Sequence, residues 1–504
     1  MMAQPRVGLL PLYLALYDDV APQHRPHAEV FARRVADRLR GGGLDVQLSA
    51  VCCRRAEVER AVADLAVRGV DLLATLHLAY SPSLEAVDAL AASSLPLALL
   101  DTTPAARFAE DATMDDLFRN HGIHGVQDLA CMLRRRGRAH CLVVGHVDDQ
   151  AFLEDAVMTA RAGCMARRLG SSRVLVFGDE FPGMGDFAVE PRVLAGLGVT
   201  MDRIPVAELA ARLRRVTEEE LAAEAALDEQ RFDCSRVSPQ LLRASNQVGL
   251  AVRAMLEERE AGAFSFNFQS FSRGAGAPTV PFLEASKAMA RGIGYAGEGD
   301  ALTAALVGAL LQGLGDVTFT EMFCPDWEGN ALFMSHMGEC NLALAALRQV
   351  PAPRLCRGRD GGPKGAATQG RPTTQRKGRP ERSRGAANRP ALVPKEYVFG
   401  DVENPVIASF PLRPGPATLV NIAPGPGDRL EIIASRCQVL DRWAPERFPD
   451  VPHFWIAPAD ADVRTFLRRY SECGGTHHLA LALGDQVDTV RRMARMLGLH
   501  FERA

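Results

Sequence analysis

The stretch Val7-Gly-Leu-Leu-Pro-Leu-Tyr-Leu14 is a short apolar run, and it opens an alternation of segments that decides the fold class. Further short apolar runs follow at residues 46–51, 72–76, 97–100 and 141–144. Segments with helical spacing lie between or after them, at residues 27–40, 56–67, 84–90 and 150–169. Strand-like runs that alternate with helices predict a parallel sheet covered by helices. We expect an N-terminal α/β domain over residues 1–170.

A second alternation begins near Ser171-Ser172 and predicts a central α/β domain over residues 171–320. Residues 173–177 read as a strand that ends in a glycine-bearing loop, residues 208–260 have helical spacing, and residues 264–271 resemble a strand. Both domains are therefore predicted to be Rossmann-like parallel sheets. After about residue 320, short apolar segments are separated by Gly, Pro and Asn, which is typical of antiparallel strands. We expect a C-terminal β-rich, barrel-like domain over residues 321–504.

Composition excludes several classes of protein. The chain has 504 residues, of which 47% are hydrophobic and 24% are charged, as in ordinary globular proteins. Its apolar runs are far shorter than the roughly 20 residues that cross a bilayer. The eleven cysteines are scattered without a CxxC pair, and the first residues lack the features of an export signal. We expect reduced thiols, a cytoplasmic location and no membrane span.

One segment differs from the rest in charge. Residues 354–389 carry eleven Lys or Arg against two acidic residues, with many Gly and Pro. Such a stretch buries too little apolar surface to fold, so we predict a disordered basic insertion at residues 352–392. An RNA-binding arm is the alternative interpretation, but the segment lacks the aromatic residues that stack on bases, and we expect no nucleic-acid partner.

The stretch Gly294-Tyr-Ala-Gly-Glu-Gly-Asp300 precedes an apolar segment with helical spacing, residues 301–312. Asp300 is therefore predicted to cap the helix, which places Glu298 on a glycine-flanked loop. The chain then continues into Val317-Thr-Phe-Thr-Glu321. The two glutamates can meet only if this return strand runs back alongside the helix.

Histidines follow at the edges of two further apolar runs. His336 lies in Met334-Ser-His-Met337, and His477 and His478 lie in Cys473-Gly-Gly-Thr-His-His-Leu479. Adjacent residues of a strand point to opposite faces, so only one of the paired histidines would face a given site. Two carboxylates with one or two imidazoles suit Mn²⁺, Co²⁺ or Mg²⁺ and lack the thiolates of a structural zinc site.

At these residues the chain resembles the L-arabinose isomerase and L-fucose isomerase superfamily, most closely its arabinose isomerase branch. The blocks around Glu298, Glu321, His336 and His478 occur in the family's order and at similar spacing. The resemblance implies a divalent-metal-dependent aldose–ketose isomerase that acts through an enediol. It implies that these four residues hold Mn²⁺, or else Co²⁺ or Mg²⁺, and that the two glutamates are catalytic. A homo-oligomer, a hexamer or trimer, is also implied.

The same resemblance assigns the sugar-binding residues. Leu76-His-Leu-Ala-Tyr-Ser-Pro82 is similar to a family loop whose aromatic residue lines the sugar pocket, which is Tyr80 here. His124 resembles the histidine that reaches a neighbouring subunit's site. The remaining pocket positions that the resemblance assigns are Met184, Phe271 and His477, and His477 is the candidate metal ligand in place of His478 should the histidine register be off by one.

The chain also departs from the arabinose isomerases. Near the first strand they carry a Gln-His-Leu-Tyr segment that contacts the sugar, where this chain reads Pro11-Leu-Tyr-Leu-Ala-Leu-Tyr17. The sugar is therefore left open. A non-catalytic sugar-binding or regulatory protein with the same architecture is the alternative, because architecture alone does not specify an activity.

Overall fold

A computed structural model of the chain describes residues 4–179, 181–346 and 389–504. The first sheet has five parallel strands in the order β2-β1-β3-β4-β5. The elements of this region are β1 Arg6–Leu12, α1 Ala15–Val20, α2 Arg25–Gly41, β2 Asp45–Leu48, α3 Arg55–Val67, β3 Leu72–His77, α4 Val87–Ala92, β4 Leu97–Asp101, α5 Met114–Asn120, α6 Ile123–Arg135, β5 Cys141–Val144 and α7 Gln150–Leu169.

The central region holds a second parallel sheet of four strands, in the order β7-β6-β8-β9. Its elements are β6 Arg173–Phe177, α8 Pro191–Leu197, β7 Thr200–Ile204, α9 Val206–Leu213, α10 Glu218–Arg231, α11 Pro239–Glu258, β8 Ala263–Phe266, α12 Phe282–Ala290, β9 Gly294–Gly297 and α13 Ala301–Leu314.

The third region is an antiparallel sheet that closes on itself. Its strands follow the order β14-β17-β10-β11-β16-β15, and β14 pairs with β15 to complete the barrel, while β18 pairs parallel to β15. The elements are β10 Val317–Asp326, β11 Ala331–Ser335, β12 Ala391–Pro394, β13 Val406–Ser409, β14 Gly415–Pro424, β15 Leu430–Val439, β16 His453–Pro458, α14 Val463–Glu472, β17 His478–Leu483, α15 Val487–Leu497 and β18 His500–Arg503. The predicted fold class, two parallel-sheet α/β regions followed by a barrel-like β region, is confirmed.

One predicted strand is too long. Residues 264–271 were expected to be extended, but β8 ends at Phe266 and a 3₁₀ turn follows at Phe268–Ser270. The side-chain oxygen of Asn267 accepts a hydrogen bond from the backbone N–H of Gln269. An asparagine that bonds to the backbone two residues ahead favours a turn over a strand. The strand prediction was wrong beyond Phe266 for this reason.

Most of the predicted basic insertion, residues 352–388, lies outside the described residues. Its last residues are described, and Ala391 and Leu392 begin β12, which pairs antiparallel with β13. In the described part of the chain, no helix combines the length and the apolar character that crossing a membrane requires.

The α13 helix is the buried centre of the molecule. Every residue of it except Gln312 is buried, and it packs against α7, the central sheet and the barrel strands β10, β14 and β17. A helix that is apolar all round must be covered on every side. The residues that precede and follow α13 are consequently held where the central sheet meets the barrel.

A buried ion network ties α10, α11 and α12 together. The ammonium of Lys287 lies 2.7 Å from Glu224 and 2.6 Å from Asp228, and Arg253 bonds to both Glu224 and Glu284. Burial would raise the pKa of Glu224, but Arg253 and Lys287 lower it to about 2. Glu224 is therefore ionised at neutral pH.

Replacing Lys287 by Met should destabilise the fold by roughly 3–5 kcal/mol, because it leaves the buried carboxylate of Asp228 without its cation and Glu224 with Arg253 alone. The free energy of unfolding can be measured by urea denaturation. The loss should be largest near neutral pH and shrink as the pH falls from 4.5 toward about 2, where Glu224 takes up a proton. Arg243→Met, which breaks an exposed pair with Glu218, is the matched control and should change stability little. An equal effect of both variants would contradict the prediction.

Candidate metal and catalytic site

Glu298 lies at the carboxyl end of β9, in the tight connection to α13. Its φ is +61° and that of Gly299 is +90°. Such a conformation costs a non-glycine residue about 1 kcal/mol or more, and it persists only where the surroundings hold it. The backbone N–H of Gly299 donates to the hydroxyl of Ser265 at 2.9 Å. The Gly-Glu-Gly sequence thus forms a turn that Ser265 supports and that presents the Glu298 side chain at the edge of the sheet.

Strand register brings the other residues together. Glu321 on β10 lies directly opposite His478 on β17 and, on its other side, opposite Ser335, the residue before His336. Residues that face each other across an antiparallel pair have Cβ atoms about 4.5–5.5 Å apart. Three neighbouring barrel strands therefore bring one carboxylate between two imidazoles.

The side-chain atoms converge closely. Oε1 of Glu321 lies 3.0 Å from Nε2 of His478, 3.4 Å from Nε2 of His336 and 3.7 Å from Nε2 of His477. Oε2 of Glu298 lies 3.7 Å from Nε2 of His477 and 3.8 Å from Nε2 of His478. One ligand atom from each of Glu298, Glu321, His477 and His478 lies within 4.8 Å of the other three.

Both adjacent histidines face this cluster, contrary to the expectation that only one of them would. His478 is the first residue of β17, whereas His477 precedes the strand and is free of its alternation. The expected ligand His336 directly follows β11 and contacts the cluster through Glu321, 3.4 Å from its Nε2. Its ring packs against Gly297. A Cβ at Gly297 would lie 2.5 Å from Cε1 of His336, so only glycine leaves room for the ring.

A carboxylate contacts Nδ1 of each histidine, on the side of the ring away from the cluster. Nδ1 of His478 lies 3.0 Å from Asp300, Nδ1 of His336 lies 2.7 Å from Glu339, and Nδ1 of His477 lies 2.6 Å from Asp186. Such contacts fix the ring orientation and leave Nε2 for a ligand. The sequence prediction treated Asp300 only as a helix cap, and it missed Glu339 and Asp186. For Glu339 a signal existed, because a carboxylate three residues after a candidate histidine can reach its ring.

Three buried atoms at the centre of the cluster lack a hydrogen-bond partner among the described residues. They are Oε2 of Glu298, Nε2 of His336 and Nε2 of His478, and the last of these lies at ion-pair distance from Glu321, 3.0 Å, without forming a hydrogen bond to it. Buried polar atoms are normally bonded, so a convergent set of unbonded ones suggests a missing ligand. Carboxylate oxygens and imidazole nitrogens are the donors that a Mn²⁺-type cation accepts. The residues fit a divalent cation.

The charges of the cluster shift its pKa values in opposite directions. Burial alone raises the pKa of Glu321, but His336, His478 and His477 lower it overall. Burial alone lowers the pKa of His336, yet Glu339 and Glu321 raise it to about 9. Glu321 and His336 therefore stabilise each other as ions.

An open cleft of about 230 Å³ reaches Glu298 from the side of the 181–190 loop. Its lining includes Met184, Phe187 and Arg203. The ring of Phe187 stacks on that of His478, with ring centroids 4.8 Å apart and an interplanar angle of 12°. Phe187 thereby covers the cluster on the cleft side, and Met184 lies in the same cleft as Glu298.

Apart from Met184 and His477, the residues that the resemblance assigned to the sugar lie elsewhere. Tyr80 and His124 are neighbours in the first domain, with ring centroids 6.4 Å apart, and no contact described here joins them to the Glu298 cluster. Phe271 is 1% exposed and packs on Phe266 in the core.

Changing Gly297 to Ala should weaken Mn²⁺ binding by about 10–100-fold, the usual effect of disturbing a ligand's support. The added methyl group would displace the ring of His336. Titration calorimetry with Mn²⁺ measures the effect, and thermal unfolding monitors the fold. Gly196→Ala is the control, because a Cβ there meets no atom within 4 Å. Unchanged Mn²⁺ affinity in a folded Gly297→Ala variant would show that His336 is not a ligand.

Comparisons with known proteins agree with this architecture. The family model for the L-arabinose isomerase central domain matches residues 184–313, and that for the L-arabinose isomerase C-terminal domain matches residues 382–500. An L-arabinose isomerase of Acidothermus cellulolyticus is 25% identical, over 93% of this chain and 88% of the relative. One of Nocardioides sp. is 26% identical, over 85% of this chain and 79% of the relative.

A third relative, the L-arabinose isomerase of Thermotoga neapolitana, is 27% identical over 46% of this chain and 47% of its own length. Among solved structures, a periplasmic solute-binding protein of Actinobacillus succinogenes with bound D-allose is 12% identical and covers 62% of this chain and 92% of that protein. Its TM-score of 0.16 is too low to bear on the fold. The two domain matches and the length of the alignments confirm the resemblance of this chain to the L-arabinose isomerases.

Proposed function

We propose that the protein is a divalent-metal-dependent aldose–ketose isomerase that acts on a small sugar through an enediol. The observation that carries the proposal is the convergence of Glu298, Glu321 and His478 on one point with unbonded buried atoms. Relatives named L-arabinose isomerase, aligned over most of their length, support the reaction class.

Glu298, Glu321, His336 and His478 would hold the cation, with His477 as a further donor. A bound Mn²⁺, Co²⁺ or Mg²⁺ would act as a Lewis acid that stabilises negative charge on two substrate oxygens. The imidazoles are already oriented by Asp300, Glu339 and Asp186, so little reorganisation of their rings accompanies binding.

The reaction needs a proton removed from the carbon beside the carbonyl and returned to the adjacent carbon. Two carboxylates in one cluster can divide this work: one takes the carbon-bound proton while the other manages the hydroxyl proton. The lowered pKa of Glu321 keeps its carboxylate ionised, as a proton acceptor must be, and also makes it a weaker base than a free glutamate. Glu298 lines the cleft by which a sugar can enter, and Phe187 keeps water from His478.

Glu298→Gln and Glu321→Gln should each lower turnover by about 10²–10⁴-fold while the fold is kept, because a proton-transfer group is lost. L-Arabinose and L-fucose are the first substrates to assay, with Mn²⁺ and after treatment with EDTA. Glu190→Gln is the matched control, since Glu190 lines the same cleft but is not in the cluster. Activity near that of the unmodified protein in either cluster variant would refute the assignment. Saturable sugar binding without turnover, unaffected by Mn²⁺, would favour the non-catalytic alternative.

Tyr80 and His124 support a homo-oligomer as part of this proposal. They form an exposed pair in the first domain, away from the cluster of their own chain. The helices α1 and α5 nearby have no buried residue, and the partly buried Ala15 and Tyr17 of α1 pack only against the edge of the core. A second copy that covers this surface would bring the pair to a neighbouring site, as the resemblance implies.

A further inference from the structure

A second pocket, of about 220 Å³, lies in the first domain beside α2 and α5. Its walls include the apolar side chains of Phe31, Leu78 and Phe118. Its described lining also carries Arg34 and Arg119 but no carboxylate. The pocket is smaller than the roughly 300–1,000 Å³ of typical sites for drug-sized molecules, so an occupant would be small.

This pocket is separate from the candidate catalytic site and from the Tyr80 pair. No member of the Glu298 cluster lines it, and neither Tyr80 nor His124 does. Phe118 lies between the pocket and the Tyr80–His124 pair. Its ring stacks on that of His24, with centroids 5.1 Å apart, and meets that of His121 edge-on, with centroids 6.2 Å apart.

Two deeply buried polar side chains line the pocket without a partner. Tyr13 is 2% exposed and His24 is 3% exposed. The hydroxyl of Tyr13 and Nδ1 of His24 have no hydrogen-bond partner in the described part of the chain. Buried polar groups are normally bonded, so both call for an acceptor or donor from outside the chain.

The available groups are mainly donors. Burial and the Asp18 carboxylate raise the pKa of Tyr13 to about 12, so its hydroxyl keeps its proton at neutral pH. Nε of Arg119 is also buried without a hydrogen bond among the described residues. Nη2 of the same guanidinium lies 3.7 Å from the carboxylate of Asp115. Asp115, 3.7 Å from Nε2 of His24, also faces these groups, and neither Asp115 nor Asp18 lines the pocket.

We propose that this pocket binds a small organic anion, a carboxylate with an apolar or aromatic body about the size of benzoate. Arg119 and the Tyr13 hydroxyl would bond to the carboxylate oxygens. Phe31 and Phe118 would contact the body. Charge-assisted hydrogen bonds to a carboxylate are stronger than those between neutral groups, which favours an anion over a neutral molecule of the same shape.

Equilibrium dialysis of the full chain with benzoate tests the proposal, in the presence of EDTA so that benzoate cannot coordinate a bound cation. Benzyl alcohol is the neutral probe of similar shape, and inorganic phosphate is the anion without an apolar body. We expect saturable benzoate binding and at least tenfold weaker binding of either other probe. Absence of saturable benzoate binding, or equal binding of benzyl alcohol or phosphate, would overturn the proposal.

Variants locate the site. Arg119→Met and Tyr13→Phe should each weaken benzoate binding about tenfold, the effect of losing one hydrogen bond to a charged group. Arg119 lies on α5, which has no buried residue, so its replacement should leave the fold intact. Arg33→Met is the matched control: Arg33 lies on α2, is exposed and does not line the pocket. Benzoate binding unchanged in both pocket variants, or weakened equally in the control, would place the anion elsewhere and refute the assignment.

Discussion

The carboxylate of Asp300 connects the two halves of the candidate site, and the geometry around it depends on that one contact. One oxygen accepts a hydrogen bond at 2.8 Å from the backbone of Thr303 and caps α13, and the other lies 3.0 Å from Nδ1 of His478. Asp300 and His478 are both fully buried. A buried carboxylate is tolerable only where its oxygens are bonded, so this residue holds the start of the central helix against the first residue of β17.

The same arrangement recurs at the other two histidines, where Glu339 and Asp186 stand behind His336 and His477. The hydroxyl of Tyr295 bonds in turn to Glu339, which continues the support into the core. Three imidazoles are thus turned toward Glu321 by groups that need not contact a substrate. Orientation is the main contribution that a protein makes to a metal site, and here it is distributed over the central sheet, the barrel and the 181–190 loop.

Close packing at glycine completes the arrangement. A Cβ at Gly294 would lie 2.2 Å from the carbonyl oxygen of Ala304, so glycine lets β9 approach α13. Gly297 admits the ring of His336, and Gly299 adopts a φ that other residues rarely take. The small residues of this block therefore serve three different contacts. Together they bring the backbone close to the centre where Glu298 is presented.

Much of this organisation follows from local sequence. The alternation of apolar runs and helical segments predicted the two parallel sheets, because each strand and helix shows its own periodicity. The cap at Asp300 was predictable for the same reason, since an N-cap is recognised from the few residues around it. The two glutamates and the histidines could be nominated from residue type and from the resemblance. Of the carboxylates behind the histidines, Glu339 gave a local signal by its spacing from His336, whereas nothing near Asp186 or Asp300 indicated which histidine each would contact.

Tertiary structure alone decided which nominated groups meet. Glu298 and His478 are far apart in sequence, and only the closure of the barrel against α13 brings them within 3.8 Å. His477 faces the cluster because β17 begins one residue later, at His478. The sequence pattern does not specify the first residue of a strand so closely. By itself, the sequence determined which elements form and which side chains are available for chemistry. The packing of distant elements determined the distances, since a contact between remote residues is set by the whole fold and not by either segment.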